Sequence, residues 1–378
     1  MKTKVKSISN RKYFIDWLRI SLILSVFLYH IGMYFNTWDW HVKNNELTTS
    51  LNKLMRFLHL WRMPLLFLVS GVGTFYALGY RNTKQYLKER FNRIFIPFLI
   101  GVLTLVPIQV YLERIENYSS LWNYYLHMFD GIYPKGNFSW HHLWFLLYLF
   151  LISLLISPFL RYLRSEKFQH FQLKMIAFLS KPLALNLIAV ILITSQAILR
   201  QFFPESTHAL YNDWAYFVYY LLFFLAGFIL MTNEKMTDAI MNQRRLFLVE
   251  TILCTAFMFS VSSMFINRIL MDWLYGISGI LIGWSCGITA LGYAKKYLNF
   301  NSKWRKVLNE GIYPFYLLHQ PVILIFGFYF KDLEISIPLK FGLLTICSFL
   351  SSSLIYWFFI KRFNITRIMF GLKKIKKH

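Results

Sequence analysis

Apolar windows long enough to cross a hydrocarbon core recur along the chain at roughly 15–35, 60–80, 94–112, 143–163, 183–200, 214–232, 246–266, 273–294, 312–330 and 337–360. Short polar segments separate them, and the pattern predicts an all-α polytopic membrane helix bundle of about ten transmembrane helices. The longest polar stretches, about 37–58 and 113–141, are rich in Trp, Tyr, Asn and His. No Gly/Ser/Pro linker, low-complexity tract or internal repeat interrupts the pattern. The expected organisation is a single transmembrane domain over 13–361, preceded by a basic segment, 1–12, and followed by a basic tail, 362–378.

Charge supplies orientation. Thirty of the 41 Lys and Arg residues fall in alternate polar segments, from Lys2 to Lys12, Arg81 to Arg93, Arg161 to Lys181, Lys235 to Arg245, Lys295 to Lys306, and Lys361 to Lys377. The intervening segments hold eight: Lys43, Lys53, Arg56, Arg114, Lys135, Arg200, Arg268 and Lys331. By the positive-inside rule both termini and the basic loops are cytoplasmic, as an even number of spans requires. The predicted location is the plasma (inner) membrane, multi-pass.

Composition narrows the class further. The chain is 57% hydrophobic and 20% aromatic, with mean hydropathy +0.44, too apolar for a water-soluble domain of 378 residues. Its net charge of +24 is scattered in clusters between apolar runs, so it is not a nucleic-acid surface. Cys254, Cys286 and Cys347 lie within apolar stretches, without metal-binding spacing, and neither a metal site nor a bound cofactor is expected. The N-terminus resembles a signal peptide's basic region, but the apolar run is span-length and no small-x-small site follows, so it is expected to stay attached.

The first window carries three groups that lipid penalises: Asp16, Arg19 and His30. Such groups face a bundle interior or a wet cavity by default. Eleven residues separate Arg19 from His30, which at about 100° per residue returns to within about 20° of the same face, some ~16 Å along the axis. With the N-terminus inside, Arg19 lies near the cytoplasmic boundary and His30 beyond mid-membrane. Asp16 is three residues from Arg19 and can pair with it. Taken alone, Arg19 could equally snorkel to lipid phosphates, and His30 could be a hydrogen-bonded structural histidine.

Asp16-x-x-Arg19 with the Arg-x10-His spacing to His30 resembles the first-helix signature of the acyltransferase-3 family of integral membrane O-acyltransferases. Four further strings resemble family elements, in family order. They are Leu66-Phe67-Leu68-Val69-Ser70-Gly71, Arg90-Phe91-Asn92-Arg93-Ile94 with Pro97, His142-Leu143-Trp144-Phe145-Leu146, and Tyr313-Pro314-Phe315-Tyr316-Leu317-Leu318-His319. Together they cover about residues 13–321. Tyr13-Phe14, the Trp38-x-Trp40-His41-Val42 stretch and the Phe315 to Pro321 run are most similar to the glucan-modifying branch, which succinylates periplasmic glucans. The 378 residues leave no stretch for the soluble hydrolase-like domain of some members, so acceptor recognition is expected to come from short loops.

The resemblance implies transfer of an acetyl or succinyl group from cytoplasmic acyl-CoA to a hydroxyl of an extracytoplasmic glycan. Asp16, Arg19 and His30 are then the catalytic candidates. Arg19 would meet polar groups of the donor, and His30 would act as general base or as an acyl relay. Arg90, Arg93, Ser70 and Gly71 are candidates for binding acyl-CoA, although the arginines also suit positive-inside anchors and the glycine suits plain helix packing. His142, Trp144, Tyr316 and His319 are candidates for the acceptor site or cavity, in positions where an interfacial aromatic belt is the plain alternative. A succinyl carboxylate would need a basic partner such as Arg56 or Arg62. The rival reading is a transporter or flippase for a glycan or lipid-linked intermediate, for which no paired repeat halves are visible.

Overall fold

The computed structural model describes residues 12–79, 81–160, 162–230, 233–261 and 267–375. Lys2, Lys4, Lys6, Arg11, Arg161, Lys376 and Lys377 of the charge pattern, and with them most of the segment 1–12, lie outside the described residues. Among the described residues there is no β-strand, and every one of the ten apolar windows falls on a helix. These are α1 (Tyr13–Phe35), α2 (Thr49–Leu78), α3 (Thr83–Glu113), α4 (His141–Leu160), α5 (Asn186–Leu199), α6 (Trp214–Leu230), α7 (Glu234–Val261), α8 (Arg268–Tyr297), α9 (Lys303–Phe330) and α10 (Ile337–Ile360).

Seven of the ten, α1 to α4 and α8 to α10, are individually long and apolar enough to cross a membrane. The other three explain why a count of windows is not a count of crossings. Helix α5 has 14 residues, about 21 Å at 1.5 Å per residue and short of a ~30 Å hydrocarbon core. Helices α6 and α7 together pass the same test as one pair, but meet at 113°.

Local chemistry sets the helix boundaries. Asn82 and Gln85 form a reciprocal capping box at the start of α3, and the side chains of Asn267 and Ser302 cap α8 and α9. Within α3, residues 91–95 form a wider π-helical turn in which the Ile96 amide bonds the Phe91 carbonyl. Pro97 follows, without an N–H to offer.

Packing at the centre is set by small residues. Helices α2 and α6 cross so closely that a Cβ at Gly71 would stand 1.9 Å from the Phe224 carbonyl oxygen, and one at Gly227 1.9 Å from the Leu68 carbonyl oxygen. Helix α9 runs through the middle of the bundle between α1, α3 and α10, and most of its residues from Ile312 to Leu324 are buried. The segment after α10 turns back onto it. Arg367 pairs with Glu310 at 2.8 Å, and Gly371, at φ +71°, lies against Tyr313 and the Arg93 carbonyl. Residues 362–375 therefore form part of the bundle's end.

Candidate active site

Two prolines interrupt α9, and the second creates the centre of the site. Pro321 has no N–H, so the Leu317 carbonyl one turn earlier lacks its helical donor. His142, at the start of α4, fills that place: its Nε2 lies 3.2 Å from Leu317 O. In return the Tyr316 hydroxyl donates to the His142 carbonyl. The His142 Nδ1 is buried and has no hydrogen-bond partner among the described residues.

One turn along α9, His319 is fully buried, and its Nδ1 lies 2.6 Å from the Tyr316 carbonyl. A carbonyl only accepts, so in neutral His319 the proton sits on Nδ1 and Nε2 carries the lone pair. That Nε2 lies 2.8 Å from His30 Nδ1, with the two rings 3° from parallel. His30 must then donate from Nδ1, which leaves its own Nε2 unprotonated. Trp40 stacks on the His30 ring at 5.9 Å, and Gln109 accepts from Gln320 beside the pair at 2.9 Å. A backbone carbonyl thus sets the tautomer of one histidine, and through it the basic nitrogen of the other.

Toward the end of the bundle where α1 begins lies a cavity of about 330 Å³. Arg19, Ser70, Gly73, Arg90, Arg93 and Tyr316 are among its walls. Arg19 reaches Asn309 at 3.5 Å and Asp16 at 3.8 Å. Arg90 donates to Thr74 Oγ1 at 2.6 Å and lies over the Tyr86 ring, and Arg93 donates to the Gly371 carbonyl at 3.1 Å. Arg81 and Glu89 complete the charged rim. The cavity ends at Tyr316, one helical turn from His319.

The structure alters three sequence expectations. Asp16 does not serve Arg19 first: its tight partner is Arg305, which is 1% exposed and which charge counting treats as a loop anchor. Gly71 faces the α2–α6 crossing, and the glycine that borders the cavity is Gly73, beside the Arg19 guanidinium. Trp144 packs on His208 at 4.1 Å and on Tyr220 and Phe67, apart from the histidine pair.

Several residues escape sequence reasoning. Arg62 is buried in α2 with its guanidinium 3.3 Å above the Tyr29 ring, next to His30, and its Nε and Nη1 have no hydrogen-bond partner among the described residues. Beyond it, a second cavity of about 490 Å³ is lined by Arg56, His59, Arg200, Tyr216, Asp272 and Trp273. In the loop before α6, burial holds the His208 imidazole neutral down to about 3, with the positive charge of Arg62 acting in the same direction. Burial also pushes the Asp213 carboxyl up to about 6, against the His208 amide and Tyr148 hydroxyl that donate to it.

Membrane-length helices that enclose paired imidazoles, with an arginine-lined cavity one helical turn away from them, define a multi-pass membrane protein with a polar site between its helices. More particularly, the chain belongs to the acyltransferase family, matching its acyltransferase domain over residues 12–357. It is 25% identical over 347 residues to glucans biosynthesis protein C of Escherichia coli O1:K1, with 85% of this chain and 84% of that one covered. The proteins of that name from Escherichia coli K12 and Shigella dysenteriae serotype 1 are 24% identical over the same shares. No solved structure matches the chain.

Proposed function

We propose that the protein is an inner-membrane O-acyltransferase that moves an acetyl or succinyl group from cytoplasmic acyl-CoA to a hydroxyl of an extracytoplasmic glycan. The observation that carries this reading is the His319 to His30 relay, which leaves a bare Nε2 on His30. The family match and the glucan-related relatives support the reaction class and a carbohydrate acceptor. Orientation rests on the positive-inside rule, which puts the arginine-lined cavity on the cytoplasmic side.

In this reading Arg19, Arg90 and Arg93 meet the anionic part of the donor, and its thin arm passes Ser70 and Gly73 toward Tyr316. The sugar hydroxyl gives its proton to His30 Nε2 as its oxygen attacks the thioester carbonyl. The C–S bond breaks, and the departing thiolate takes the proton back from His30. His319 orients the imidazole and shares its positive charge. A buried guanidinium at Arg62 favours succinyl over acetyl, because it offers donors to the free carboxylate that only the succinyl group carries.

The test is acyl transfer by purified protein in lipid, using labelled acetyl- or succinyl-CoA and a glucan acceptor. Wild type is expected to label the glucan and folded His30→Ala is not. Equal product from the variant removes His30 from the chemistry. Movement of glycan across the membrane without labelling would establish a transporter instead.

A further inference from the structure

We propose that His41, Glu113 and His141 form a binding site for a first-row divalent cation, zinc by availability, at the end of the bundle opposite the arginine-lined cavity. Their ligand atoms lie within 4.8 Å of one another, on the loop after α1, the last residue of α3 and the first residue of α4. His41 Nδ1 is 2.7 Å from Glu113 Oε2, and the His41 and His141 rings are 4.1 Å apart.

The surroundings prepare these atoms for a metal. His141 Nδ1 lies 3.2 Å from Ser139 Oγ, which already accepts the His141 amide. With Ser139 Oγ accepting the ring N–H the lone pair falls on Nε2, the tautomer a metal would select, and this Nε2 is buried with no hydrogen-bond partner among the described residues. Tyr133 donates to the other oxygen of Glu113 at 3.0 Å, the kind of outer contact that orients a ligating carboxylate. Arg114 does not compete for Glu113, because it donates to the Pro134 and Gly136 carbonyls and to Asn137. His141 also holds φ at +37°, a left-handed conformation unusual for a residue with a Cβ and common at functional sites.

Two imidazoles and one carboxylate are the donor set of an open zinc site, with a fourth position for water, whereas calcium and magnesium prefer oxygen cages. Sequence spacing cannot show such a site, because each ligand comes from a different segment. The bound cation would tie the first long loop to α3 and α4. His41 directly follows Trp40, so it would also fix the indole that stacks on His30.

Metal content tests this without reference to acyl transfer. Untagged protein stripped with chelator and dialysed against zinc sulfate is expected to retain one zinc per chain, and cobalt is expected to give a tetrahedral absorption band. Chelator should lower the thermal midpoint. Tyr133→Phe is expected to weaken zinc about 10–100-fold. The His41→Ala/His141→Ala pair should abolish stoichiometric retention, while His127→Ala, at an exposed histidine, should not change it. Folded wild type that retains no zinc overturns the proposal, as does a double variant that binds like wild type. Should the double variant not fold, wild type and Tyr133→Phe decide.

Discussion

His30 Nδ1 and His319 Nε2 stand 2.8 Å apart on near-parallel rings, and the proton between them belongs to His30 because the Tyr316 carbonyl claims the proton of His319. In the proposed mechanism, removing His30 removes the base itself. His30→Ala is expected to lower turnover by about 10²–10⁴-fold with donor KM little changed, as for loss of a general base. His319→Ala keeps that base but loses its orientation, so turnover should fall by a smaller factor. Steady-state rates of the two folded variants check this order, and a larger loss for His319→Ala contradicts it.

Much of this was legible in the sequence and some of it was not. The ten windows fall on helices because a bilayer demands long apolar runs, which composition displays directly. His30, Arg19, Ser70, Arg90, Arg93, Tyr316, His142 and His319 stood out through motifs, and the fold brings the arginines to one cavity and the histidines to one cluster. The partner of Asp16 was invisible, since Arg305 lies 289 residues away amid other basic residues that do act as anchors. Gly71 and Gly73 read alike in sequence, and only the approach of α6 separates them.

The Asp16–Arg305 pair predicts a stability effect that a surface ion pair would not give. Both side chains are buried, so removing Asp16 leaves the Arg305 charge without its carboxylate, at a cost of about 3–5 kcal/mol, whereas removing Arg305 leaves Asp16 its longer contact with Arg19 and costs less. Arg305→Met and Asp16→Asn should each lower the thermal midpoint in detergent. The double variant should lose less than the sum of the two. Additive losses would mean that the pair is not coupled.

At the α2–α6 crossing, Gly227→Ala drives a methyl group against the Leu68 carbonyl, a backbone atom that cannot swing aside. Overpacking of this kind costs about 1–3 kcal/mol. Gly342→Ala on α10, where a Cβ meets nothing within 4 Å, is the control and should be neutral or slightly stabilising. Thermal midpoints of the two variants measure the difference, and equal midpoints would deny the close crossing.

Asp213 carries a pH dependence whose sign follows from its raised pKa of about 6. The folded state holds this proton more tightly than the unfolded chain, whose carboxyl titrates near 3.8. Its contribution to stability is complete below that lower value and is lost as pH rises through about 6. Oδ2 keeps its two donors throughout, but Oδ1 is buried with no partner among the described residues, so ionisation leaves it exposed to the full cost of burial. Asp213→Asn should flatten the fall in thermal midpoint between pH 4 and pH 8, and an unchanged slope would show that another group is responsible.

If the arginine-lined cavity takes the donor as proposed, it makes a sharp demand on it. Arg90 is held between Thr74 and the Tyr86 ring, so its guanidinium is already oriented when an anion arrives. Lys88, two residues earlier on the same helix, is exposed and does not line the cavity. Loss of a hydrogen bond to a charged group costs about 1.5–3 kcal/mol, which corresponds to roughly a 10–150-fold rise in donor KM for Arg90→Gln. Lys88→Gln, which removes the same charge at nearly the same place in the sequence, should leave KM unchanged. If both variants raise KM equally, the arginine contributes only to a diffuse positive surface potential. If only Arg90→Gln does, and the effect shrinks with a donor lacking the nucleotide phosphates, the contact is to those phosphates.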